Sequence, residues 1–281
     1  MTSAVRAFRN WLTHRPRSNP YLMGNFRPEE YLETYYPVLP EASVFGNAET
    51  PRGVSEENLA LLRFYAKTQK ELRSTDKALS MLEVGGGPTI YQLISLSKLA
   101  SRICFTDFLR PNLQAVENWI RTGSDKRWVS YIRMALQYEC GRVPTAREIM
   151  IREQELKRKI SLARYDVLRD RFFATAPEKF DLVSSNFCAE CVSQSKTLWF
   201  QALKNMSKRI SEGGYLVMTA LRMASTYNIR GHVLPSTPID EEDLLMALLD
   251  LGFSNIDVSS KDCLGKNKYN GMIYVLARKD S

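Results

Sequence analysis

Glu83-Val84-Gly85-Gly86-Gly87-Pro88-Thr89 follows an apolar run and precedes a helix-compatible segment, and the next apolar run ends on Thr106-Asp107. This order reads as strand, glycine turn, helix, strand, acid. Glycines leave no side chain between a ligand and the backbone at the carboxyl end of a strand, where open α/β sheets bind their ligands. An acid about twenty residues further on is placed to accept hydrogen bonds from a ribose. The stretch therefore predicts a Rossmann-like sheet holding a ligand that contains a nucleoside.

The kind of nucleoside turns on detail. A dinucleotide fingerprint needs a third glycine where Ile90 stands, and it rests a pyrophosphate on the helix N-terminus. Pro88 removes one N–H and suits the first turn of a helix, which a ligand without phosphates tolerates. The sequence contains no phosphate loop of the G-x-x-x-x-G-K-[ST] type. S-adenosylmethionine fits these features better than NAD or ATP. A plain strand-to-helix turn in a non-enzymatic α/β domain is the bland alternative.

At 281 residues and 44% hydrophobic, the chain can bury a sizeable core. The expectation is a single domain over 1–281, with a helical cap over 1–75 and a Rossmann-like core over 76–281 interrupted by a helical insertion at about 122–162. No apolar run reaches transmembrane length, so no membrane association is expected. Five scattered cysteines point to a reducing, cytoplasmic compartment. The formal charge of +8 raises nucleic acid as a partner. Half of that excess lies in residues 142–171, nine Lys or Arg against five Asp or Glu, in a mixed-charge stretch without interleaved aromatics. It reads as a solvated helix face. Residues 1–18 carry four arginines and no acid, with Val5, Phe8, Trp11 and Leu12 on one helical face. A terminal helix ending near Pro16 is expected in preference to a transit peptide.

Helical spacing predicts helices over Glu56–Leu72 with Ser55 as cap, Tyr91–Leu99, Asn112–Ile120, two within 130–160 broken at Gly141 and Pro144, 196–210 and 241–251. Strands are expected over 78–84, 102–106, 163–167, 180–185, 215–219, 253–259 and 271–277, the last two as an antiparallel hairpin. The fold class is α/β, a mostly parallel sheet of about seven strands with helices on both faces and a final antiparallel strand.

Phe26-Arg27-Pro28-Glu29-Glu30-Tyr31 through Tyr36, the segment Glu83 to Gln92, Thr106-Asp107-Phe108 and Asn112-Leu113-Gln114 together resemble the nicotinamide, phenylethanolamine and thioether/indolethylamine methyltransferases. The similarity runs from about Tyr21 onward, through Tyr165-Asp166-Val167 and Asp181 to Cys188. It implies a class I S-adenosylmethionine-dependent methyltransferase that releases S-adenosylhomocysteine. Carried over by position, the resemblance implies that Tyr31 and Tyr36 close over the donor. Gly85, Gly86, Gly87, Thr89 and Tyr91 would line its methionine part. Asp107 and Asn112 would hold the ribose, Asp166 and Val167 the adenine, and Asn186 and Phe187 the floor near the sulfonium.

The chain departs from the family on the acceptor side. Where the nicotinamide enzyme has an aspartate against its acceptor amide, this sequence has Thr219, so nicotinamide is not the expected acceptor. Tyr21, Glu190, Thr219, Tyr227 and Ser236 are the implied acceptor residues, with Glu190 as the candidate catalytic carboxylate. The glycine motif also begins Glu83 rather than Asp, with Gly86 where Ser is common, a change expected to leave donor binding intact. The expected reaction is methyl transfer to a nitrogen of a small-molecule amine or N-heterocycle. O-, S- or C-methylation of a small metabolite and a non-catalytic donor-binding module stay open. Ser185-Asn186-Phe187-Cys188 lacks the [DNS]-P-P-[YFW] motif of enzymes that methylate exocyclic base nitrogens, so nucleic acid is not the expected partner. No metal is expected: Cys188-Ala-Glu-Cys191 has no second cysteine pair, and His14 and His232 are the only histidines. The protein is expected to be a monomer.

Overall fold

A computed structural model describes residues 26–38, 54–73, 78–123, 125–262 and 269–280. The helix expected within residues 1–18, Tyr21 and Cys263 lie outside them. The described strands are β1 (Leu79–Val84), β2 (Ala100–Asp107), β3 (Ile160–Asp166), β4 (Arg171–Phe172), β5 (Phe180–Asn186), β6 (Ile210–Arg222), β7 (Thr226–Ile229), β8 (His232–Pro235), β9 (Phe253–Lys261) and β10 (Gly271–Lys279). The α-helices are α1 (Pro28–Tyr35), α2 (Glu56–Leu72), α3 (Leu93–Leu96), α4 (Arg110–Thr122), α5 (Arg127–Cys140), α6 (Ala146–Lys159), α7 (Lys196–Lys208) and α8 (Glu241–Asp250).

One eight-stranded sheet runs in the order β4-β3-β2-β1-β5-β6-β10-β9. β1 pairs in parallel with both β2 and β5, so the chain turns to one side after β1 and to the other after β4. That reversal opens a crevice beyond the carboxyl end of β1. Successive residues of β1 face opposite sides, and the core divides accordingly. Met81 packs with Leu59, Ile94, Phe105 and Tyr131 under α2, α3 and α5. Leu82 packs with Val183, Trp199, Leu203 and Leu248 under α7 and α8.

The helix expected over Tyr91–Leu99 shrinks to the single turn of α3. Its neighbours form tight turns, with Leu93 N–H donating to Ile90 O at 3.1 Å and Leu99 N–H to Leu96 O at 2.9 Å. The reason is the sheet. The Leu99 carbonyl already accepts from Leu79 N–H at 2.8 Å, so β2 begins two residues before its predicted start. The expected terminal hairpin forms, but β10 inserts between β6 and β9, antiparallel to both, which makes β9 the sheet edge. β4 and the β7–β8 hairpin were not anticipated. In that hairpin Arg230 and Gly231, both at positive φ, make the two-residue turn that matches strand twist.

The helical insertion is fixed by an ion pair inside the protein. Arg152 of α6 bonds Glu139 of α5 through both guanidinium nitrogens, at 2.8 and 3.0 Å, and Ile94 O at 2.9 Å, while both charged side chains are almost fully buried. Removing Arg152 leaves the buried Glu139 facing only the Lys98 ammonium at 3.9 Å among the described residues, too far for a hydrogen bond. Arg152→Met is expected to cost about 3–5 kcal/mol in urea unfolding. Glu139→Leu with Arg152→Met should regain most of that; an unchanged midpoint in the single variant would contradict this reading.

Candidate functional site

A cavity of about 760 Å³ lies beyond the carboxyl ends of β1, β2, β3 and β5. The glycine turn forms its floor. Gly85 and Gly87 have φ of +68° and +63°, and a Cβ at Gly85 would run into the Cys188 side chain. Gly87 has open space where its Cβ would be, so this is where a ligand gains close access to the backbone.

Asp107 reaches back from β2 to this turn. Its Oδ2 accepts from Gly87 N–H at 2.9 Å, and its Oδ1 accepts from Leu109 N–H at 2.7 Å and Asn112 Nδ2 at 3.1 Å. Burial pushes the Asp107 pKa up from its ordinary value, while these donors pull it down. Asn112 is itself buried on α4, and its Oδ1 has no partner among the described residues. An acid and an unpartnered amide oxygen at the cavity wall form an acceptor set for hydroxyl donors. Asp166 also lines the cavity, with its carboxylate taking Leu168 and Arg169 N–H at 3.2 and 3.3 Å and the Arg169 guanidinium at 3.3 Å. Val167, beside it, is held by Asn205 Nδ2 bonding the Val167 carbonyl at 2.8 Å.

Under the turn sits a buried polar cluster centred on Glu83. It accepts from Ser184 Oγ, Asn186 Nδ2 at 3.2 Å and Gln92 Nε2 at 3.3 Å. Gln92 also donates to Gly86 O at 3.2 Å, and Thr89 Oγ1 donates to the same carbonyl at 2.8 Å. Asn186 Oδ1 accepts from Tyr65 OH and from Thr219 Oγ1 at 2.8 Å. Burial pushes the Glu83 pKa up to about 7.

Two chain segments cover the cavity. Tyr31 on α1 and Tyr91 line it from one side, and Thr226, Tyr227, Val233, Leu234 and Pro235 of the hairpin from another. The segments hold each other through Tyr35 OH to the Asn228 carbonyl, an Arg230–Glu33 ion pair and a small core of Phe26, Ile229 and Leu234.

Of the residues expected at the site, Tyr31, the three glycines, Thr89, Tyr91, Asp107, Asn112, Asp166, Val167, Asn186, Phe187 and Tyr227 line this cavity. Four do not. Tyr36 stacks behind Tyr91, ring centroids 5.2 Å apart, and is buried among Trp128 and Tyr131. Thr219 spends its hydroxyl on Asn186. Ser236 is fully buried, with its N–H on Ser225 O at 2.9 Å. Glu190, the expected catalytic carboxylate, is turned into the protein. Its Oε1 accepts from Leu221 N–H at 2.9 Å, its carbonyl accepts from Thr237 N–H at 2.8 Å, and it has no exposed surface. The short helical turn of Glu190–Val192 instead brings Cys188, Cys191 and Val192 to the cavity wall. Phe108, Leu109 and the 193–195 segment also line it. Phe108 stands in a stretch that carries the family resemblance, whereas no motif flags Leu109 or the 193–195 segment, because apolar and small polar residues in loops carry no spacing signal.

Residues 18–280 match the model of the NNMT/PNMT/TEMT family. The chain belongs to that family. Human nicotinamide N-methyltransferase is 25% identical over 267 residues, 92% of this chain and 94% of that protein. Phenylethanolamine N-methyltransferase of Macaca mulatta is 28% identical over 238 residues, 83% of this chain and 79% of that protein. In fold the chain is similar to an S-adenosylmethionine-dependent methyltransferase from Methanosarcina mazei, with a TM-score of 0.51 at 12% identity over 74% of this chain and 95% of that one. It is also similar to phosphoethanolamine N-methyltransferase 2 of Haemonchus contortus, with a TM-score of 0.50 at 13% identity over 98% of this chain and 60% of that one. The expected family, Rossmann-like fold, enzyme class and donor stand with that membership. No helix among the described residues is long and apolar enough to cross a membrane.

Burial raises Glu190 from 4.5 to about 7. The folded protein therefore holds this proton more tightly than the unfolded chain does between those values, and stability falls as pH rises through that window. Glu83 contributes in the same window. Glu190→Gln keeps an acceptor for Leu221 N–H and removes the charge. Urea unfolding should show about half the loss of stability between pH 5 and pH 8 that the unaltered protein shows, while equal losses would place Glu190 in a solvated setting.

Proposed function

We propose that the protein transfers a methyl group from S-adenosylmethionine to a nitrogen of a small-molecule amine or N-heterocycle, acting as a single-domain cytoplasmic monomer without metal or nucleic acid. The observation that carries this is the convergence of Gly87, Asp107 and Asn112 at the cavity floor. It supplies acceptors for two ribose hydroxyls at the point where the backbone is open to contact. Asp107 and Asp166 are the only charged side chains lining the cavity among the described residues, and aromatic faces from Tyr31, Tyr91 and Phe187 complete it. A negative, aromatic cavity suits a ligand that carries a sulfonium.

The donor supplies a methyl group on a positively charged sulfur that leaves as a neutral thioether. The chain's own contribution is alignment and exclusion of water. Tyr31 and Tyr91 wall the methionine end, Asn186 and Phe187 form the floor, and Val167 with Asp166 flank the far end for the base. Phe187 holds its place at φ +48° because its N–H donates to Thr219 O at 3.0 Å. The acceptor enters between α1 and the hairpin, against Tyr227, Cys191 and Leu234. Tyr21, outside the described residues, remains a proposed acceptor contact by resemblance, and Thr219 and Ser236 support the wall from behind. With Glu190 bonded to backbone inside the protein, no carboxylate is assigned as a general base, and the acceptor nitrogen attacks as its free base. The size of the cavity and its hairpin cover favour a small molecule over a nucleic-acid strand.

Release of S-adenosylhomocysteine, measured over a panel of amines, pyridines, guanidines, thiols and phenols, tests this reading. Turnover is expected with one or more nitrogen acceptors. Asp107→Ala should weaken donor binding by about 1.5–3 kcal/mol, roughly ten- to a hundredfold. Equal donor affinity in that variant, or turnover restricted to thiols or phenols, would contradict the assignment.

A further inference from the structure

Glu83 lies on the face of β1 that looks toward α2, has no exposed surface, and touches both walls of the donor crevice through other residues. On one side Gln92 bridges it to the carbonyls of Gly86 and Thr89, at 3.2 Å each. On the other, Asn186 bridges it to the cavity itself, which Asn186 lines. All three side chains that donate to it are neutral, and no lysine, arginine or histidine among the described residues forms an ion pair with it. The titratable groups that feel its charge are Tyr65 from α2, Tyr91 after the glycine turn and Cys188 after β5, each held protonated by burial. A carboxylate placed this deep without a cation is incomplete as an anion.

The donor carries a positive charge on sulfur, and the product of methyl transfer carries none there. We propose that Glu83 is the positioning residue that distinguishes donor from product: the sulfonium ligand selects the enzyme in which Glu83 is ionised, and the thioether binds with no such preference. This rests on reading the cavity as the donor site. Coupling runs through the Asn186 and Gln92 amides and through space, because the low-dielectric interior under the turn does not screen the two charges. The consequence is a charge gate that favours exchange of spent product for fresh donor. Discrimination between the two ligands comes from a residue that neither of them touches.

The sign of the pH dependence follows. In the empty enzyme burial holds Glu83 up to about 7, so near pH 5.5 almost every molecule carries the proton. A cationic ligand expels that proton, so donor affinity rises as pH increases toward 7, while product affinity stays level. Glu190 titrates in the same range, and its charge is felt by Cys188 and Cys191 of the cavity wall, so Glu83 is separated from it by substitution at each position.

The test is calorimetric titration of the full chain with S-adenosylmethionine and with S-adenosylhomocysteine at pH 5.5 and pH 7, in pairs of buffers of different ionisation enthalpy. The range stays below the titration of the ligands' own α-amino group, near 7.7 and above. Donor affinity is expected to rise about tenfold between the two pH values, with proton release on binding, because only the ionised fraction binds. Product affinity should change less than about twofold and release no proton. Glu83→Gln should flatten the donor profile and shrink the donor-to-product ratio. If that variant does not fold, Glu190→Gln decides instead: a ligand contrast kept in it assigns the effect to Glu83, and its loss assigns the effect to Glu190 and overturns the proposal. Parallel pH profiles for donor and product, or a donor profile kept in Glu83→Gln, would overturn the proposal. Binding of neither ligand would remove the donor reading and this inference with it, whereas binding of both with parallel profiles removes this inference alone.

Discussion

A buried carboxyl group that must be satisfied by neutral donors sets the geometry of this protein's crevice. The groups that bond Glu83 also shape the chain around it, since Ser184 and Asn186 end β5 and Gln92 closes the turn that follows the glycines. Burying such a group without its hydrogen bonds costs several kcal/mol, so the bonds form together or the region does not pack. The carboxyl ends of β1 and β5 and the glycine turn are thereby locked into one unit. Asp107 then fastens the outer side of that unit by taking the Gly87 N–H from the neighbouring strand.

Around this rigid floor the walls come from distant parts of the sequence. Tyr31 and Tyr36 are five residues apart on either side of the end of α1, yet only Tyr31 meets the cavity. Tyr36 backs Tyr91 in an aromatic stack that continues into Trp128 and Tyr131 of α5. The Arg152–Glu139 pair, which ties α6 to α5 and to the carbonyl of Ile94, so also steadies the aromatic wall from outside. Opposite it, the β7–β8 hairpin meets α1 and the residues before it through the Tyr35–Asn228 hydrogen bond, the Arg230–Glu33 ion pair and the buried side chains of Phe26, Ile229 and Leu234. The hydrogen bond and the ion pair are exposed and worth little each, so the buried apolar side chains carry most of this docking.

The floor was legible in the sequence and the walls were not. Strands β1, β2 and β5, the glycine turn and Asp107 are fixed by local patterns: apolar runs, glycines at required turns and an acid at a strand end. α2 with its Ser55 cap and the break between α5 and α6 at Gly141 and Pro144 are equally local, and the structure has them at the expected places. Side-chain direction is a different matter. The resemblance implies an acceptor role for Glu190, but its residue type says nothing about whether it faces a cavity or the Leu221 N–H. Tyr36, Thr219 and Ser236 likewise do not line the cavity, Tyr36 stacking behind Tyr91 and Thr219 bonding Asn186. The hairpin left a faint sign in Arg230-Gly231 between short β-prone runs. Glu83 and Gln92 stood in the quoted motif all along, but their joint burial depends on Ser184 and Asn186, about a hundred positions away.

The central claim is that a nucleoside thioether or sulfonium occupies the crevice beyond β1 and β2, read by Asp107 and Asn112 and seated on a floor held by Glu83. A crystal structure of the complex with S-adenosylhomocysteine tests it most directly. The ribose hydroxyls are expected on the Asp107 carboxylate and the Asn112 side-chain oxygen, the methionine part against Gly85 to Gly87 and Tyr91, and Glu83 still bonded to Ser184, Asn186 and Gln92. A ligand seated elsewhere, or one that makes no contact with Asp107, would contradict it.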